Sequence, residues 1–438
     1  MTTVAEFEKR VADRSVAVGV VGLGYVGLPL AVGYAEAGFR AVGLDLSERT
    51  VSGLRDGRSH IEDIESARIA DVVGSGRFLP TTDVADLGTC DVVFVCVPTP
   101  YDDQKTPDLS FIRAASETVA SVLRPGMLVI LQSTTSPGTT TQIMQPILEQ
   151  RGLRAGADFM LAFSPERVDP GNTRFTVRNT PKVVGGVDEV STQCARALLE
   201  AVMDEPGLVT CVSSPDAAEM TKLLENTYRA VNIALVNELA VLSEKMDIDL
   251  WEVIAAASTK PFGFQAFWPG IGPGGHCIPV DPYYLSWKAR AYDFQTKFIE
   301  LAADTNLGMA DYVCTRVARF LNESGKAMRG AKVLALGVAF KEGVSDTRNS
   351  RAVRVIELLE ADGAEVEYTD PMVPTITIGG RERASLDLAM IDPTSFDVVV
   401  VLVKHSAWPL AEWIARGTRV FDAVNASGLA TNGSLERL

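Results

Sequence analysis

A glycine-rich turn near the start of the chain has the spacing needed to hold a dinucleotide. Gly22, Gly24 and Gly27 follow an apolar run and precede a helical pattern, and Asp45 ends the next apolar run. Glycines let a pyrophosphate approach a helix N-terminus, and an acid at that second position can bind the ribose hydroxyls. A glycine turn that serves packing alone would leave the placement of Asp45 to chance. The pattern predicts dinucleotide binding, and Asp45 favours NAD over NADP because its carboxylate would repel a 2′-phosphate.

Cys277 lies in the sequence GPGGHCIPVD, where glycines allow close approach on one side and prolines stiffen the other. A lone cysteine in a loop is more often inert than reactive. Beside a nicotinamide-binding domain, however, a thiolate can capture an aldehyde as a thiohemiacetal and present it for a second hydride transfer. The sequence therefore suggests a covalent step on Cys277.

Further polar residues follow apolar runs, at the positions where open α/β sheets bind ligands. Ser133 and Thr134 follow one predicted strand, and Glu166 follows the next. Lys222 and Asn226 are four residues apart in a predicted helix and so share one face, although a pair of surface residues would show the same spacing.

A basic cluster lies in the C-terminal part of the chain. Lys341, Arg348 and Arg351 flank the turn after a predicted strand at Lys332–Leu336. Such a cluster can be a solvated surface, but in a chain of net charge −15 it can also bind a diphosphate.

Composition limits the classes of protein to which the chain can belong. At 438 residues it is long enough for two or three domains. A net charge of −15 argues against binding duplex nucleic acid, which needs basic residues to neutralise phosphates. The six cysteines include no CxxC pair and only three histidines occur, so neither a metal site nor a disulfide framework is expected.

One segment imitates a membrane span. Residues 16–35 carry no charge, but they contain five helix-weakening glycines and a proline, and acidic residues precede them. A buried strand that passes through a glycine turn into a packed helix explains them better. We therefore expect a cytoplasmic protein with no membrane partner.

The order of the predicted elements indicates an α/β fold. Apolar strand runs alternate with helical patterns at 16–21, 28–37, 41–45, 91–97, 110–123, 127–132, 139–151 and 159–163. Such alternation predicts a doubly wound parallel sheet. Strand signals return at Lys332–Leu336, 365–368 and 396–403, and the stretch 332–370 repeats the strand, glycine turn, helix, strand and aspartate of 16–45.

Between these regions, residues 216–245 contain neither glycine nor proline and carry apolar residues every three or four positions. This pattern predicts one long amphipathic helix, which we expect to form the core of a homodimer. The fold class predicted is two doubly wound Rossmann-like domains joined by a central helical region. The expected domains are 1–212 for NAD binding, 213–325 for dimerisation and the catalytic loop, and 326–438 for the second Rossmann-like sheet with its basic cluster.

Seven motifs occur in a fixed order along nearly the whole chain: GLGYVG, CVPTP, STTSPGTT, SPERVDPGN, Lys222 with Asn226, GPGGHCIPVDPYYL and AFKEGVSDTRNS. Together they resemble the UDP-glucose/GDP-mannose dehydrogenase superfamily. The segment from TKPFGF to SWKAR is most similar to UDP-N-acetylglucosamine 6-dehydrogenases, with UDP-N-acetylmannosamine dehydrogenases next. The resemblance implies oxidation of a sugar C6 alcohol to a carboxylate, with two NAD+ consumed per turnover. It also implies that the domain at 326–438 binds the UDP-sugar.

The resemblance also assigns roles to catalytic residues. Cys277 is implied to be the nucleophile, Lys222 to stabilise oxyanions and Asn226 to fix Lys222. Asp281, Thr134 and Glu166 match positions tied to water and thioester hydrolysis. A cation aimed at developing negative charge is commonly a large catalytic term, and a carboxylate near water can act as a general base.

Binding residues follow from the same resemblance. Those that match NAD contacts, with their motif neighbours, are Gly22, Gly24, Tyr25, Val26, Gly27, Asp45, Arg49, Thr99, Ser133, Thr134 and Arg348. Those that match or flank sugar-nucleotide contacts are Glu166, Arg167, Lys222, Asn226, Lys260, Phe267, Gly274, Gly275 and Lys341.

Two departures from the family pattern bear on the substrate. UDP-glucose members carry an arginine near the C-terminal strand, which the sequence FDAVN at 421–425 lacks, and a second arginine where Lys260 is the nearest basic residue. We therefore expect UDP-N-acetylglucosamine (UDP-GlcNAc) as substrate, with UDP-N-acetylmannosamine (UDP-ManNAc) or UDP-glucose as alternatives. A catalytically silent dinucleotide sensor and a 2-hydroxy-acid or 6-phosphogluconate-type dehydrogenase are alternatives from other classes, although the last would need neither Cys277 nor a second Rossmann-like domain.

Overall fold

The computed structural model describes residues 3–61, 64–102, 105–169, 171–172, 174–275 and 278–438. These form two compact units, the first made of Met1–Glu225 with Trp287–Asp293 and the second of Asn226–Ser286 with Phe294–Leu438. Cys277, the nucleophile predicted from the sequence, lies outside the described residues.

An eight-stranded sheet forms the centre of the first unit. Its strands are β1 (Ala17–Val21), β2 (Arg40–Leu44), β3 (Phe78–Thr81), β4 (Val92–Val95), β5 (Leu128–Leu131), β6 (Met160–Phe163), β7 (Lys182–Gly186) and β8 (Val209–Cys211). They lie in the order β3-β2-β1-β4-β5-β6-β7-β8. Neighbouring strands are parallel except that β7 runs antiparallel to β6.

Helices cover this sheet, which is why its central strands are continuous apolar runs with every residue buried. The helices are α1 (Val4–Ala12), α2 (Gly27–Glu36), α3 (Glu48–Arg55), α4 (Ser66–Gly74), α5 (Ser110–Val122), α6 (Gln145–Leu148) and α7 (Glu189–Glu200). The 31-residue helix α8 (Pro215–Lys245) begins in this unit and continues into the second.

The second unit combines the remaining helices with a parallel sheet. The helices are α9 (Leu250–Ala257), α10 (Asp281–Ala289), α11 (Lys297–Glu323), α12 (Arg351–Ala361) and α13 (Leu410–Ala415), of which α10 ends in the first unit. The strands are β9 (Lys332–Leu336), β10 (Glu365–Thr369), β11 (Thr375–Ile378), β12 (Arg381–Ala384), β13 (Val398–Val401), β14 (Val420–Asp422) and β15 (Leu435–Arg437). The sheet order is β10-β9-β13-β14-β15, and β11 and β12 form a separate hairpin.

The glycine turn between β1 and α2 is held against both neighbouring strands. Gly22 has φ of +89°, and a Cβ there would lie 2.6 Å from the carbonyl oxygen of Cys96 at the end of β4. The amide of Gly22 donates to the Leu44 carbonyl over 2.8 Å. The amide of Leu23 donates to Asp45 Oδ2 over 2.9 Å, so the aspartate braces the turn.

The turn after β9 repeats this construction in the second unit. Gly337 has φ of +88°, and its amide donates to the Thr369 carbonyl over 2.9 Å. The amide of Val338 donates to Asp370 Oδ2 over 2.8 Å. The repeat seen in the sequence between 16–45 and 332–370 is therefore a repeat of structure, and the prediction of two Rossmann-like sheets is confirmed.

The structure differs from the sequence prediction at 139–151, which the pattern predicts as one helix. There, a π-helical turn at Thr140–Met144 leads into α6 and a 3₁₀ turn at Glu149–Arg151. Pro146 has no amide hydrogen to donate, which prevents a regular α-helical ladder across this point. The division into three domains stays a prediction. Among the described residues, no helix is both long and apolar enough to cross a membrane.

Candidate active site

The predicted cofactor residues of the first unit lie along one edge of its sheet. Gly22 follows β1, Asp45 follows β2, Thr99 follows β4 and Ser133 follows β5. Because these four strands are neighbours and parallel, their carboxyl ends meet at the same edge. This is the edge at which open α/β sheets bind ligands.

The glycine turn itself leaves room for a phosphate. A Cβ at Gly24 would meet no atom within 4 Å, whereas one at Gly27 would lie 1.9 Å from the Gly22 carbonyl oxygen. No side chain caps the N-terminus of α2 at Val26. Gly27 thus packs the turn, while Gly24 faces open space beside backbone N–H groups suited to a pyrophosphate. The side chain of Tyr25 next to them is 46% exposed.

Asp45 differs from its structural counterpart in one respect that matters for binding. Both carboxylates accept backbone N–H groups, Asp45 from Leu23 and Ser47 and Asp370 from the turn of the second unit. Asp370 is only 3% exposed, but Asp45 is partly open to solvent. Only Asp45 can therefore also reach the ribose of a bound dinucleotide.

The remaining cofactor residues have distinct surroundings. Ser133 is buried, and its hydroxyl donates to the Val97 carbonyl over 2.8 Å, while Thr134 beside it is partly buried. Arg49 is exposed on α3. Arg348 belongs to the second unit, where its guanidinium binds both carboxylate oxygens of Asp346.

Glu166 is the centre of a buried polar network after β6. Its Oε1 accepts the backbone amides of Arg167 and Val168 over 2.8 and 3.0 Å. Its Oε2 accepts from Gln132 Nε2 over 2.7 Å and lies 3.5 Å from Lys182 Nζ. Burial raises the pKa of Glu166, but Lys182 and the two amides outweigh it, so that the pKa is below its ordinary value and the group is a carboxylate.

Lys222 is tied to the same segment. Its Nζ donates to the backbone carbonyl oxygen of Glu166 over 2.7 Å, and the residue is 9% exposed. Arg167 pairs with Glu225 of α8 over 2.6 Å and donates to the Pro181 carbonyl. The predicted catalytic residues Glu166 and Lys222 are therefore brought together, and Arg167 is turned towards α8 by its own ion pair.

Asn226 and Asp281 form a second buried pair, in the second unit. Asn226 Nδ2 donates to Asp281 Oδ2 over 2.5 Å, and the two residues are 5% and 3% exposed. Asp281 is the first residue of α10. The sequence named both residues as catalytic, and the structure shows that the amide of one orients the carboxylate of the other.

The predicted substrate loop is anchored by two asparagines that the sequence analysis missed. Asn237 Oδ1 accepts the amide of Gly270 over 2.9 Å, and Asn237 Nδ2 donates to Asn306 Oδ1 over 2.9 Å. Asn306 in turn donates to the Ala230 carbonyl. Both asparagines are buried. The bond to Gly270 fixes the loop to α8, and the other two bonds join α8 to α11.

The far end of this loop packs on the turn after β9. A Cβ at Gly274 would lie 2.9 Å from Phe340 Cβ, and a Cβ at Gly275 would touch the same ring. The Gly275 carbonyl accepts from Asn349 Nδ2 over 3.2 Å. Only glycine fits at these two predicted substrate positions because the loop and the turn are in van der Waals contact.

Two further predicted substrate residues lie before this point. The ring of Phe267 packs edge-on against Tyr228 at 5.7 Å between centroids. Lys260 is exposed, with its Nζ 5.0 Å from the centroid of the Phe262 ring. Phe267 is thus fixed by α8, whereas Lys260 packs over a ring of its own loop.

A cavity of about 180 Å³ opens at the carboxyl edge of the second sheet. Its lining carries three basic residues, Lys341, Arg351 and Lys404, and one acidic residue, Glu342, so that positive charge predominates. Arg351 donates to the Leu307 carbonyl, but its buried Nε has no hydrogen-bond partner among the described residues. Burial lowers the pKa of this guanidinium. The cavity offers a set of cationic donors suited to a diphosphate.

The described cysteines take no part in these sites. All five are free, and the pKa of each thiol is raised, chiefly by burial. The pKa is about 11 for Cys90 and about 12 for Cys194 and Cys314. Thiols of this kind are protonated at neutral pH and therefore weak nucleophiles.

Glu219 of α8 is a buried carboxylate that the sequence did not reveal. It is fully buried and accepts the amides of Gly138 and Thr140 and the hydroxyl of Thr140, over 2.7 to 2.9 Å. It therefore fixes the segment that follows Ser133 and Thr134 to the helix that carries Lys222. Desolvation raises the pKa of Glu219 to about 7, although these three bonds oppose the shift.

The residues that sequence reasoning missed share a cause. Lys182, Glu219, Asn237 and Asn306 are polar groups buried by segments distant in sequence. The one local signal is Lys182, which opens the apolar run KVVGG. A charged side chain in a run that is expected to be buried needs a buried partner.

The fold and the two sites define a class: two Rossmann-like sheets, one with a dinucleotide turn and one with a cationic cavity. Comparison with known families agrees. The UDP-glucose/GDP-mannose dehydrogenase family models match the chain with the NAD binding domain at 16–203, the central domain at 216–307 and the UDP binding domain at 334–427. The chain belongs to this family. It is an NAD-dependent nucleotide-sugar dehydrogenase.

Individual relatives resemble the chain over nearly its whole length. UDP-N-acetyl-D-glucosamine 6-dehydrogenase of Pseudomonas aeruginosa is 36% identical over 90% of this chain and 91% of its own. UDP-N-acetyl-D-mannosamine dehydrogenase of Pyrococcus horikoshii is 34% identical over 91% of this chain and 92% of its own. The solved structure of UDP-D-ManNAc dehydrogenase from that organism superposes with a TM-score of 0.86 at 33% identity, covering 96% and 98% of the two chains.

Glu219 predicts a specific dependence of stability on pH. Its pKa is higher in the folded protein than its ordinary value of 4.5, so the folded state binds more protons between pH 4.5 and about 7. Stability contributed by Glu219 is therefore lost as the pH rises through this window. In Glu219→Gln, which cannot ionise, we expect stability relative to wild type to rise between pH 5 and 8 by about 3 kcal/mol.

Thermal unfolding at a series of pH values measures this difference. Glu117→Gln, on the exposed surface of α5, is the control and should show no pH-dependent difference from wild type. A difference between Glu219→Gln and wild type that stays constant from pH 5 to 8 would show that Glu219 is ionised throughout.

Proposed function

We propose that this protein oxidises the C6 alcohol of a UDP-N-acetylhexosamine to the carboxylate, with UDP-GlcNAc as the preferred substrate. The observation that carries the proposal is the loop from 259 to 275, whose sequence is most similar to UDP-GlcNAc 6-dehydrogenases and whose glycines contact the cationic cavity. The relative from Pseudomonas aeruginosa bears the same activity in its name. The relative from Pyrococcus horikoshii is nearly as similar, and UDP-ManNAc is therefore the alternative.

Residues of this chain can bind both the UDP-sugar and the cofactor of such a reaction. We assign the diphosphate to the cavity with Lys341, Arg351 and Lys404. The cofactor residues are those of the glycine turn with Asp45, and they fit NAD because Gly24 leaves space and Asp45 is partly open. When bound, NAD+ accepts a hydride from C6 in each of the two oxidations.

Cys277 is proposed to hold the sugar between the two oxidations. After the first, the thiolate adds to the C6 aldehyde and gives a thiohemiacetal oxyanion. Loss of hydride from C6 then leaves a thioester, and water cleaves it to the carboxylate and the free thiol. The balance is one alcohol, one water and two NAD+ in, and one carboxylic acid, two NADH and two protons out.

Lys222 is proposed to stabilise the oxyanions and Asn226 to assist it. Support comes from the bond of Lys222 Nζ to the Glu166 carbonyl, which holds a buried cation in place. Glu166, Asp281 and Thr134 are proposed to order water for thioester hydrolysis. Asp281 is buried and Glu166 is partly buried, and both are bonded through one or both oxygens, so each is held in a defined orientation.

Counting NADH against sugar consumed tests the activity and the substrate together. With NAD+ and a panel of UDP-GlcNAc, UDP-ManNAc and UDP-glucose, we expect two NADH per sugar. We expect kcat/KM for UDP-GlcNAc to exceed the others by about 10-fold or more, since one substituent in a pocket changes binding by about 1–3 kcal/mol. Equal kcat/KM for UDP-glucose would contradict the preference, and no NADH with any UDP-sugar would favour the silent sensor.

Cys277→Ala is expected to separate binding from acid formation. It removes the nucleophile but neither the glycine turn nor the cationic cavity, so the Kd values of NAD+ and the UDP-sugar should change little. Production of the carboxylate should fall by several orders of magnitude, as loss of a nucleophile does in other enzymes. Isothermal calorimetry and a mass-spectrometric assay of the acid measure the two effects.

Cys211→Ala is the matched control, because Cys211 is the exposed cysteine among those described and no role is assigned to it. It should act like wild type. If Cys277→Ala still makes the uronic acid at a near wild-type rate, the covalent mechanism is wrong, and direct oxidation of an aldehyde hydrate would replace it.

We also propose that the protein is a cytoplasmic homodimer that supplies a uronic acid for polysaccharide biosynthesis. One face of α8 supports the dimer, because its large apolar side chains are 37–60% exposed at a helical spacing. They are Met220, Leu224, Tyr228, Leu235, Leu239 and Leu242. Exposed apolar stripes of this length mark protein interfaces, and two-fold dimers are the commonest assembly.

Sedimentation at micromolar concentration tests the dimer. Wild type should sediment at twice the chain mass of 47.0 kDa. Leu235→Glu places a charge in the centre of the stripe and should yield monomer. Met390→Glu, at an 82% exposed apolar residue away from α8, should leave the dimer intact. A fully active wild-type monomer would contradict the proposal.

A further inference from the structure

The reversal of β7 brings a buried lysine to the ligand-binding edge of the first sheet. In a purely parallel sheet, the first residue of a strand lies at the edge opposite the ligand. Because β7 is antiparallel to β6, its first residue, Lys182, instead lies beside the segment that follows β6. The Ser164 hydroxyl donates to the Val183 carbonyl and Arg167 to the Pro181 carbonyl, so this alignment extends beyond the strands.

Lys182 is among the most deeply buried charged residues of the chain, with 1% exposure. Burial of an ammonium group is costly unless an opposite charge compensates for it. That charge is the carboxylate of Glu166, whose Oε2 is 3.5 Å from Lys182 Nζ. Since Lys182 is almost fully buried, it does not itself touch a substrate, and its effect must pass through Glu166.

The carboxylate of Glu166 fixes the backbone that follows it. Oε1 accepts the amides of Arg167 and Val168, so the side chain bends back over its own segment. Gln132 donates to the other oxygen, which also faces Lys182. A neutral Glu166 would be a weaker acceptor at all these positions, and the segment would lose the constraint that sets its peptide orientation.

The carbonyl oxygen of this same residue holds Lys222. Its distance to Lys222 Nζ is 2.7 Å. The contacts therefore form one continuous series, from the Lys182 ammonium to the Glu166 carboxylate, from there to the backbone at 166–168, and through the Glu166 carbonyl to the Lys222 ammonium.

We propose that Lys182 is a positioning residue for the reaction, which places the Lys222 ammonium by holding Glu166 as an anchored carboxylate. The proposal rests on the proposed function, because it is there that Lys222 stabilises the oxyanions. The positioning itself does not depend on that function: the buried cation of Lys182 sets the location of the Lys222 cation through Glu166, which contacts both.

The first test is kinetic and uses Lys182→Met, which keeps the length of the side chain and removes its charge. We expect kcat to fall 10-fold to 100-fold while KM for NAD+ changes less than 3-fold. The acidic limb of the pH profile of kcat should move to higher pH, since removal of Lys182 raises the pKa of Glu166. Lys332→Met, at the exposed first residue of β9, is the matched control and should show neither change.

A double mutant separates positioning from a general loss of structure. If Lys182 acts through Lys222, Lys182→Met should change kcat less than 2-fold when introduced into Lys222→Ala. Full multiplicative effects of the two substitutions would overturn the proposal, even if each variant alone is slow. Thermal unfolding of Lys182→Met checks that the variant is folded.

A chemical measurement distinguishes failure of this proposal from failure of the proposed function. Lys222 is 9% exposed and bonded, so acetic anhydride should acetylate it slowly relative to exposed Lys9. In Lys182→Met, mass spectrometry should show this ratio rise at least 3-fold, and in Lys332→Met it should not. This result is expected whether or not wild type oxidises a UDP-sugar, and an unchanged ratio would refute the positioning role itself.

Discussion

In each sheet, the residue that follows the first strand lies in van der Waals contact with the chain at the end of the neighbouring strand. Only glycine fits at this position. A side chain at Gly22 would overlap the backbone at Cys96, and one at Gly337 would lie 2.4 Å from Val403 Cβ. The close passage sets the direction in which the following helix starts. It also forces the turn's amides towards the next strand, where an aspartate receives them. The ligand-binding edge of each sheet depends on this contact.

Helix α8 adds a second level of order, because two buried charged side chains connect it to loops of the first sheet. Glu219 receives the amides of the segment after β5, and Lys222 is bonded to the segment after β6. The two positions are three residues apart along the helix, so both loops meet one face of it. Further along, Asn237 fixes the substrate loop to the same helix within the second unit. Helix α8 thus holds two loops within the first unit and a third loop within the second unit, and all three loops carry polar residues of the predicted sites.

Much of this architecture could be predicted from local pattern. The strands before Gly22 and Asp45 are continuous apolar runs, and their turns have a characteristic glycine spacing, so the two sheets and the NAD site follow from sequence alone. Lys182 could not be placed, because nothing local shows that its strand is antiparallel to the preceding one. Asn237 and Asn306 were missed for a related reason, since their bond joins residues 69 positions apart. Hydrogen bonds between polar residues far apart in the sequence produce no periodic pattern from which they could be predicted.

The burial of the cysteines has a consequence for selectivity within the molecule. A sugar aldehyde is an electrophile that any nearby thiolate can trap, and this chain carries six thiols. Of the five that the structure describes, four are buried and have pKa values raised by that burial, so each holds its proton at neutral pH: Cys90, Cys96, Cys194 and Cys314. The hydrophobic packing that stabilises the sheets therefore also keeps these four thiols in the protonated form, which does not add to an aldehyde such as the one that the proposed reaction forms from the sugar.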